Sequence, residues 1–337
     1  MGKYKMKIEA YILNTMPVTL DWQLISIANQ HRYFSNHGIK LNVMDKQHHL
    51  IRATQKYCDR WANFPLMRKA YRIYDFLESD ADYGIFMDLD KLILHPEKHP
   101  AEAMDLNSSY IEVFNFFKNP KHRDQVNRLW KQHDPENGNQ LRGWIAEKVN
   151  FCNLLMGDAF SWPNVCGGFY AFTREMAEFI VNRWSDMGIN PTTSSGIERL
   201  TELNHEINRL AVVSGRSDFV DGEEKFFMLP PEDCKLCGIH DEHLMCAAFA
   251  PEGGERVHYN GLRFSIKDML MTQATTERDV LTSTWAIVED HENVKWGSWM
   301  TRPLCEEKIA RDPALFLHLI GYQAKHNAHL YEKYKTC

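Results

Sequence analysis

Tyr83-Gly84-Ile85-Phe86-Met87-Asp88-Leu89-Asp90 is a short apolar run that ends in two acids one residue apart. Side chains at i and i+2 of a strand point to the same side. The run therefore predicts a buried strand whose end aims the Asp88 and Asp90 carboxylates in one direction. Mg²⁺ and Mn²⁺ are hard cations that prefer oxygen ligands and keep open positions for substrate phosphates. An Asp-x-Asp pair at the mouth of an α/β sheet is the simplest device for holding the diphosphate of a nucleotide.

The flanking sequence supports such a sheet. Ile8–Leu13 reads as a strand and Asp21–Ser35 as an amphipathic helix closed by His37-Gly38. Ile39–Met44 alternates apolar and polar residues like a strand and ends at Asp45. Pro65 opens a second helix with Leu66, Ala70, Ile73 and Leu77 on a shared face, and the acid-bearing strand follows. Strands alternating with helices imply a parallel or mostly parallel sheet with ligands at the carboxyl ends of its strands. Further along, Tyr110–Phe117 predicts a strand, Arg123–Gln132 a helix and Asp134–Asn139 a loop. Asn164–Phe172 carries paired glycines into an apolar strand, Glu175–Trp184 and Gly196–Leu210 read as helices, and Asp221-Gly222 as a hairpin turn. Residues 268–337, including Ala314-Leu315-Phe316-Leu317, read as a mainly helical extension packed on a domain of residues 1–267.

The bulk numbers are those of a globular protein: 337 residues, 44% apolar and 25% charged. No apolar run approaches the roughly 18 residues of a membrane span. Met1–Lys5 leads into a short apolar strand without a signal-peptide pattern, which predicts a cytoplasmic protein. The eight cysteines are scattered apart from a cluster at 234–246, against a secreted disulfide framework. A formal charge of −6 argues against a dedicated DNA binder. Residues 115–148 nevertheless carry seven Lys/Arg against four acids, with Phe116, Phe117 and Trp130 interspersed.

Three further segments suit a metal–phosphate site. Arg68 and Arg72 are four apart on the helix before the acid strand, where they would neutralise a diphosphate. Asn204-His205-Glu206-Ile207-Asn208 supplies an acid on a helix, followed later by Leu229-Pro230. In Val257-His258-Tyr259-Asn260-Gly261-Leu262-Arg263, a strand histidine beside a glycine turn offers a neutral imidazole as third ligand.

In this order the segments resemble the GT-A-fold glycosyltransferases, most nearly the retaining, glycogenin-like group. The resemblance covers about residues 5–267 and takes in Ile8–Asn14, Arg68–Arg72, Asp88/Asp90, Asn164–Phe169, His205–Asn208, Leu229-Pro230 and His258–Gly261. It implies a Rossmann-like, mixed and mostly parallel sheet flanked by helices. It also implies Mn²⁺ or Mg²⁺ held by Asp88, Asp90 and His258. The donor, favoured as a UDP-sugar, would be bound by Asn14, Thr15, Arg68, Arg72, Asp88, Asn164, Gly167, Gly168, Arg263 and Lys267. Glu206 and His205 take the catalytic positions, because the first acid of the family's helix motif is Asn204 here and the middle residue is His205. The family's lysine after the histidine motif is Arg263. Retention of configuration is favoured, and the acceptor is a hydroxyl of a glycan, a protein or a small molecule. A hydroxylated DNA base, as for some phage glycosyltransferases, is a further acceptor. It would use the 115–148 segment with Trp296, Trp299, His318 and Tyr322.

Two other readings compete. Phe86–Asp90 is similar to the nucleophile strand of haloacid-dehalogenase-type phosphatases, although Leu92 stands where that motif has Thr or Val. A zinc-braced binding protein would use Cys234, Cys237, His240, His243 and Cys246 as structural Zn²⁺ ligands.

Overall fold

Alternation along the early strands gives the sheet two apolar faces, each covered by helices. The computed structural model describes residues 6–14, 21–61, 64–114, 151–152, 154–155, 164–209, 214–220, 223–229, 238–249, 258–259, 262–263, 270–272, 282–283, 304, 306–311, 315–319 and 323–335. Strands are numbered in chain order. The central sheet contains β1 (Ile8–Asn14), β2 (Lys40–Asp45), β3 (Tyr83–Met87), β5 (Tyr110–Phe114), β6 (Asn164–Thr173) and β11 (Leu270–Thr272). Their spatial order is β11-β5-β6-β3-β1-β2. β1 is parallel to β2 and β3, β11 is parallel to β5, and β6 alone runs against its neighbours. The protein is thus a mixed α/β structure with a mostly parallel sheet.

Residues one apart on a strand face opposite layers. Tyr11, Phe86, Tyr170 and Phe172 pack on one side with the helices Tyr71–Glu78, Arg174–Asp186 and Asp241–Phe249. Ala10, Ile12, Ile85, Met87, Phe169 and Ala171 pack on the other with helix Asp21–Asn36. Every residue of β3 is buried, as a central strand covered on both faces requires. Helix Asp21–Asn36 ends where Gly38 adopts φ +68° and Ile39 N–H returns to Phe34 O at 2.8 Å, as the His37-Gly38 signal predicts.

The order β2-β1-β3 has a functional consequence. The chain leaves β1 towards β2 on one side, then crosses β1 to reach β3 on the other. Such a reversal opens a crevice beyond the carboxyl ends of the two strands, where ligands of open α/β sheets bind. Asp88 and Asp90 begin immediately beyond β3 at that crevice.

Two findings depart from the sequence expectations. β11 enters the central sheet from beyond residue 267, so the sheet does not close within 1–267. The apolar run expected as helix contains β13 (Phe316–His318), which pairs antiparallel with β4 (Lys91–Ile93) and parallel with β12 (Thr282–Ser283). Leu315, Phe316, Leu317 and Leu319 are all buried, and a run buried on every side suits a covered strand better than an amphipathic helix. The Asp221-Gly222 signal falls between β7 (Ser214–Val220) and β8 (Glu223–Leu229), an antiparallel pair. β9 (His258–Tyr259) and β10 (Leu262–Arg263) form a second one. The basic 115–148 segment lies outside the described residues. No helix among the described residues is long and apolar enough to cross a membrane.

Phe316 is fully buried, with ring centroids 5.6 Å from Phe169 and 6.0 Å from Tyr33. Phe316→Ala should lower stability by about 3–5 kcal/mol in a denaturant titration. A loss below about 1 kcal/mol would mean that β13 contributes little to the core.

Candidate functional site

Backbone pairing brings three ligand-bearing residues to one point. The β4–β13 register sets His318 opposite Lys91, next to Asp90, and Leu319 N–H donates to Asp90 O at 2.9 Å. His318 Nε2 then lies 3.3 Å from Asp90 Oδ1. Asp88, Asp90 and His318 each present a ligand atom within 4.8 Å of the others, the one such group of three or more His, Cys, Asp or Glu among the described residues. Helix Asp21–Asn36 braces the turn that carries the acids. Gln30 Nε2 donates to Asp88 O at 3.1 Å, and the Ser26 hydroxyl donates to Leu89 O.

The glycine pair explains how the ring fits. Antiparallel pairing of β6 with β3 carries Gly168 alongside Asp88, whose N–H donates to Gly168 O at 3.0 Å. A Cβ on Gly168 would stand 2.2 Å from His318 Cε1, and one on Gly167 would stand 2.5 Å from Asp241 Oδ2. Consecutive strand residues face opposite sides. One glycine therefore admits the histidine and the other admits an acid from helix Asp241–Phe249.

That acid is deeply placed. The Asp241 carboxylate accepts from Tyr170 Oη at 3.0 Å, and Glu242 Oε1 accepts from Gly167 N–H at 2.7 Å. Both residues are buried. Burial works to raise the Asp241 carboxyl, yet Lys69, a hydrogen bond from His240 and Arg72 hold it below the ordinary carboxylate range.

Positive charge reaches the acids from a tight turn. Residues Arg68–Ala70 form a 3₁₀ turn between helix Phe64–Met67 and helix Tyr71–Glu78. Lys69, three residues before Arg72, is the residue of this turn that reaches the same carboxylate as Arg72. Lys69 Nζ contacts Asp88 Oδ2, and Arg72 Nη1 lies 3.3 Å from Asp88 Oδ1. Arg72 is fully buried and fixed to backbone by Nε to Lys69 O at 2.9 Å and Nη1 to Met87 O at 2.7 Å. Its Nη2 is buried without a hydrogen-bond partner among the described residues. Arg68 donates elsewhere, to Ile51 O at 3.3 Å and Gln55 Oε1 at 3.1 Å.

Crowding sets the acid pair apart. Burial raises the Asp88 carboxyl above its usual range against the pull of Lys69 and Arg72, with Asp90 and Asp241 adding to the rise. Burial also opposes ionisation of Asp90, but the His318 charge and hydrogen bond, with Lys69 and Lys91, hold that carboxyl low. Two carboxylates compressed beside an imidazole are a donor set for a hard or borderline divalent cation, which would relieve their repulsion. The donor set therefore fits Mn²⁺ or Mg²⁺.

The remaining sequence-derived candidates are distributed as follows. Asn14 ends β1 at the same edge of the sheet as Asp88, while Thr15 and Lys267 lie outside the described residues. Asn164 opens β6 opposite Phe114. His258 sits on β9 opposite Arg263 on β10; the histidine beside the two acids is His318. His205 is exposed and Glu206 half-buried on helix Ser194–Arg209; the acid whose charge acts on Lys69 together with Asp88 is Asp241. His318 is also 5% exposed, so it cannot serve as a stacking platform for a base. Trp296, Trp299 and Tyr322 are outside the described residues, as are Cys234 and Cys237. His243 Nδ1 accepts from His240 N–H at 3.2 Å, and Cys246 is buried.

Lys69, Asp241 and His318 were not assigned to the metal–phosphate site from sequence. The signal for Lys69 was present, since 69 and 72 are as close on a helix as 68 and 72. For His318 the signal was Asp312-Pro313, a helix breaker ahead of an apolar run that ends in histidine.

No protein-family model matches the sequence, and no curated protein does. Among solved structures, the crystal structure of a glycosyltransferase involved in the glycosylation of the major capsid of PBCV-1 is similar at a TM-score of 0.43 and 9% identity. The alignment covers 96% of this chain and 98% of that one.

Gly168→Ala should force the His318 ring away from Asp90 and lower stability by about 1–3 kcal/mol. A crystal structure of the variant and its thermal midpoint check this. An unmoved ring with unchanged stability would contradict the packing described.

Proposed function

We propose that the protein is a divalent-cation-dependent glycosyltransferase that moves a sugar from a nucleoside diphosphate donor to a hydroxyl acceptor. The observation that carries the reading is the convergence of Asp88, Asp90 and His318 within 4.8 Å at the reversal point of a mostly parallel sheet. Asp88, Asp90 and His318 would hold Mn²⁺ or Mg²⁺. When bound, the cation would neutralise charge on the donor diphosphate.

The chain's own residues supply the rest. Transfer breaks the bond between the anomeric carbon and a diphosphate oxygen, forms one to the acceptor oxygen, and releases the acceptor's proton. Negative charge grows on the leaving diphosphate, so fixed positive charge there stabilises the transition state more than the ground state. Arg72, with its backbone anchors and a buried Nη2 that lacks a hydrogen-bond partner among the described residues, would serve that task, and Lys69 stands beside it. Asp241 and Glu242, across Gly167 from the acid pair, would orient sugar hydroxyls. Asn14 at the end of β1 would face the nucleotide. UDP as the nucleotide and retention of configuration follow from the sequence resemblance.

The test is a thermal-shift panel of UDP, GDP, CDP and ADP with and without Mn²⁺, on wild type and Asp90→Ala. One nucleotide should stabilise the wild type by about 3 kcal/mol at a hundredfold excess over its Kd, only with the cation, and not the variant. Stabilisation without dependence on Mn²⁺ or Asp90 would remove the cation from the reading. No shift with any nucleotide would remove the donor.

A further inference from the structure

We propose that Lys69 stands in for the cation. In the cation-free protein its ammonium holds the place beside Asp88 that a divalent ion takes, and the ion's arrival hands Lys69 to the donor diphosphate. The inference deepens the proposed function and rests on that reading of the acid pair.

Both oxygens of Asp88 already face positive charge. Lys69 Nζ contacts Oδ2, and Arg72 Nη1 approaches Oδ1 at 3.3 Å. A divalent cation on Asp88 would stand against both of these positive charges, and the two are unequally secured. Arg72 is fully buried and tied to the carbonyls of Lys69 and Met87 at 2.9 and 2.7 Å, so moving it breaks two further hydrogen bonds. Lys69 Nζ has one hydrogen-bond partner among the described residues, Asp88, and its side chain retains 19% exposure. Its four-carbon stem lets the ammonium swing without moving backbone. Lys69 is the contact that yields.

Two groups determine where it goes. Asp241, on the helix packed against the turn that carries Lys69, also attracts the ammonium and keeps Lys69 in the site rather than in solvent. Arg72 Nη2, a buried donor without a partner among the described residues, marks where an anion completes the hydrogen bonding. A diphosphate oxygen at that donor would also meet a Lys69 released from Asp88. Cation and diphosphate then assist each other: the cation frees Lys69, and the anion gives it a new partner.

The opposing demands on Lys69 make the test sharp. Calorimetric titrations would use Mn²⁺ alone, then inorganic pyrophosphate at saturating Mn²⁺, on wild type, Lys69→Met and Asp90→Asn, each verified as folded by circular dichroism. Lys69→Met should bind Mn²⁺ alone about tenfold more tightly, equivalent to about 1.4 kcal/mol, because the competitor is gone. The same variant should bind pyrophosphate about tenfold more weakly, because the recipient cation is gone. A purely structural lysine would weaken both or change neither, and either result overturns the exchange while Asp90-dependent Mn²⁺ binding would still support the cation site. Mn²⁺ binding indifferent to Asp90→Asn would instead show that the cation reading fails, and this inference with it.

Discussion

Two carboxylates one residue apart at the end of a buried strand cannot stand without compensating charge, and much of the surrounding structure meets that requirement. Desolvating charge costs several kcal/mol per group unless partners are close and well aligned. Lys69 and Arg72 reach Asp88 from the segment around helix Tyr71–Glu78, and His318 reaches Asp90 from β13. Each partner is delivered by a different device: a 3₁₀ turn, a buried arginine anchored on backbone, and a strand from near the end of the chain. The cations are sufficient to hold the acids in the folded protein and few enough to leave them attractive to a divalent ion.

The glycines serve the same end. Paired glycines in a sugar-pocket strand suggest close approach of a ligand to backbone, but here Gly168 clears space for His318 and Gly167 for Asp241. Both sides of β6 are thereby committed to side chains of the site. The acid at Asp241 and the pair at Asp88 and Asp90 share Lys69 as a common electrostatic neighbour. The centre thus behaves as one coupled set of charges, and altering any member changes what the others can bind.

Local patterns were legible in the sequence where one segment decides its own structure. The β3 run, the β1 and β2 strands, the Gly38 helix end and the pairing of the strands on either side of Asp221-Gly222 all follow from period and turn chemistry. The two acids were legible as a pair ending that run, although they stand in the turn beyond β3 and not on the strand itself. What depended on distant pairing was not. His318 is 228 residues from Asp90, and only the β4–β13 register places it there. Spacing alone makes Arg68 and Lys69 equal neighbours of Arg72, and only the hydrogen bonds of Arg68 to Ile51 and Gln55 separate them. The strand at Phe316 was hidden because an apolar run buried all round has no period of its own.

The central claim is that Asp88, Asp90 and His318 hold a divalent cation. Anomalous diffraction from crystals of the full chain grown with Mn²⁺ tests it most directly. The account predicts one strong anomalous peak in contact with a carboxylate oxygen of Asp88, one of Asp90 and a ring nitrogen of His318, with Lys69 turned away from Asp88. A manganese peak bound elsewhere, or none while Lys69 remains on Asp88, would contradict it.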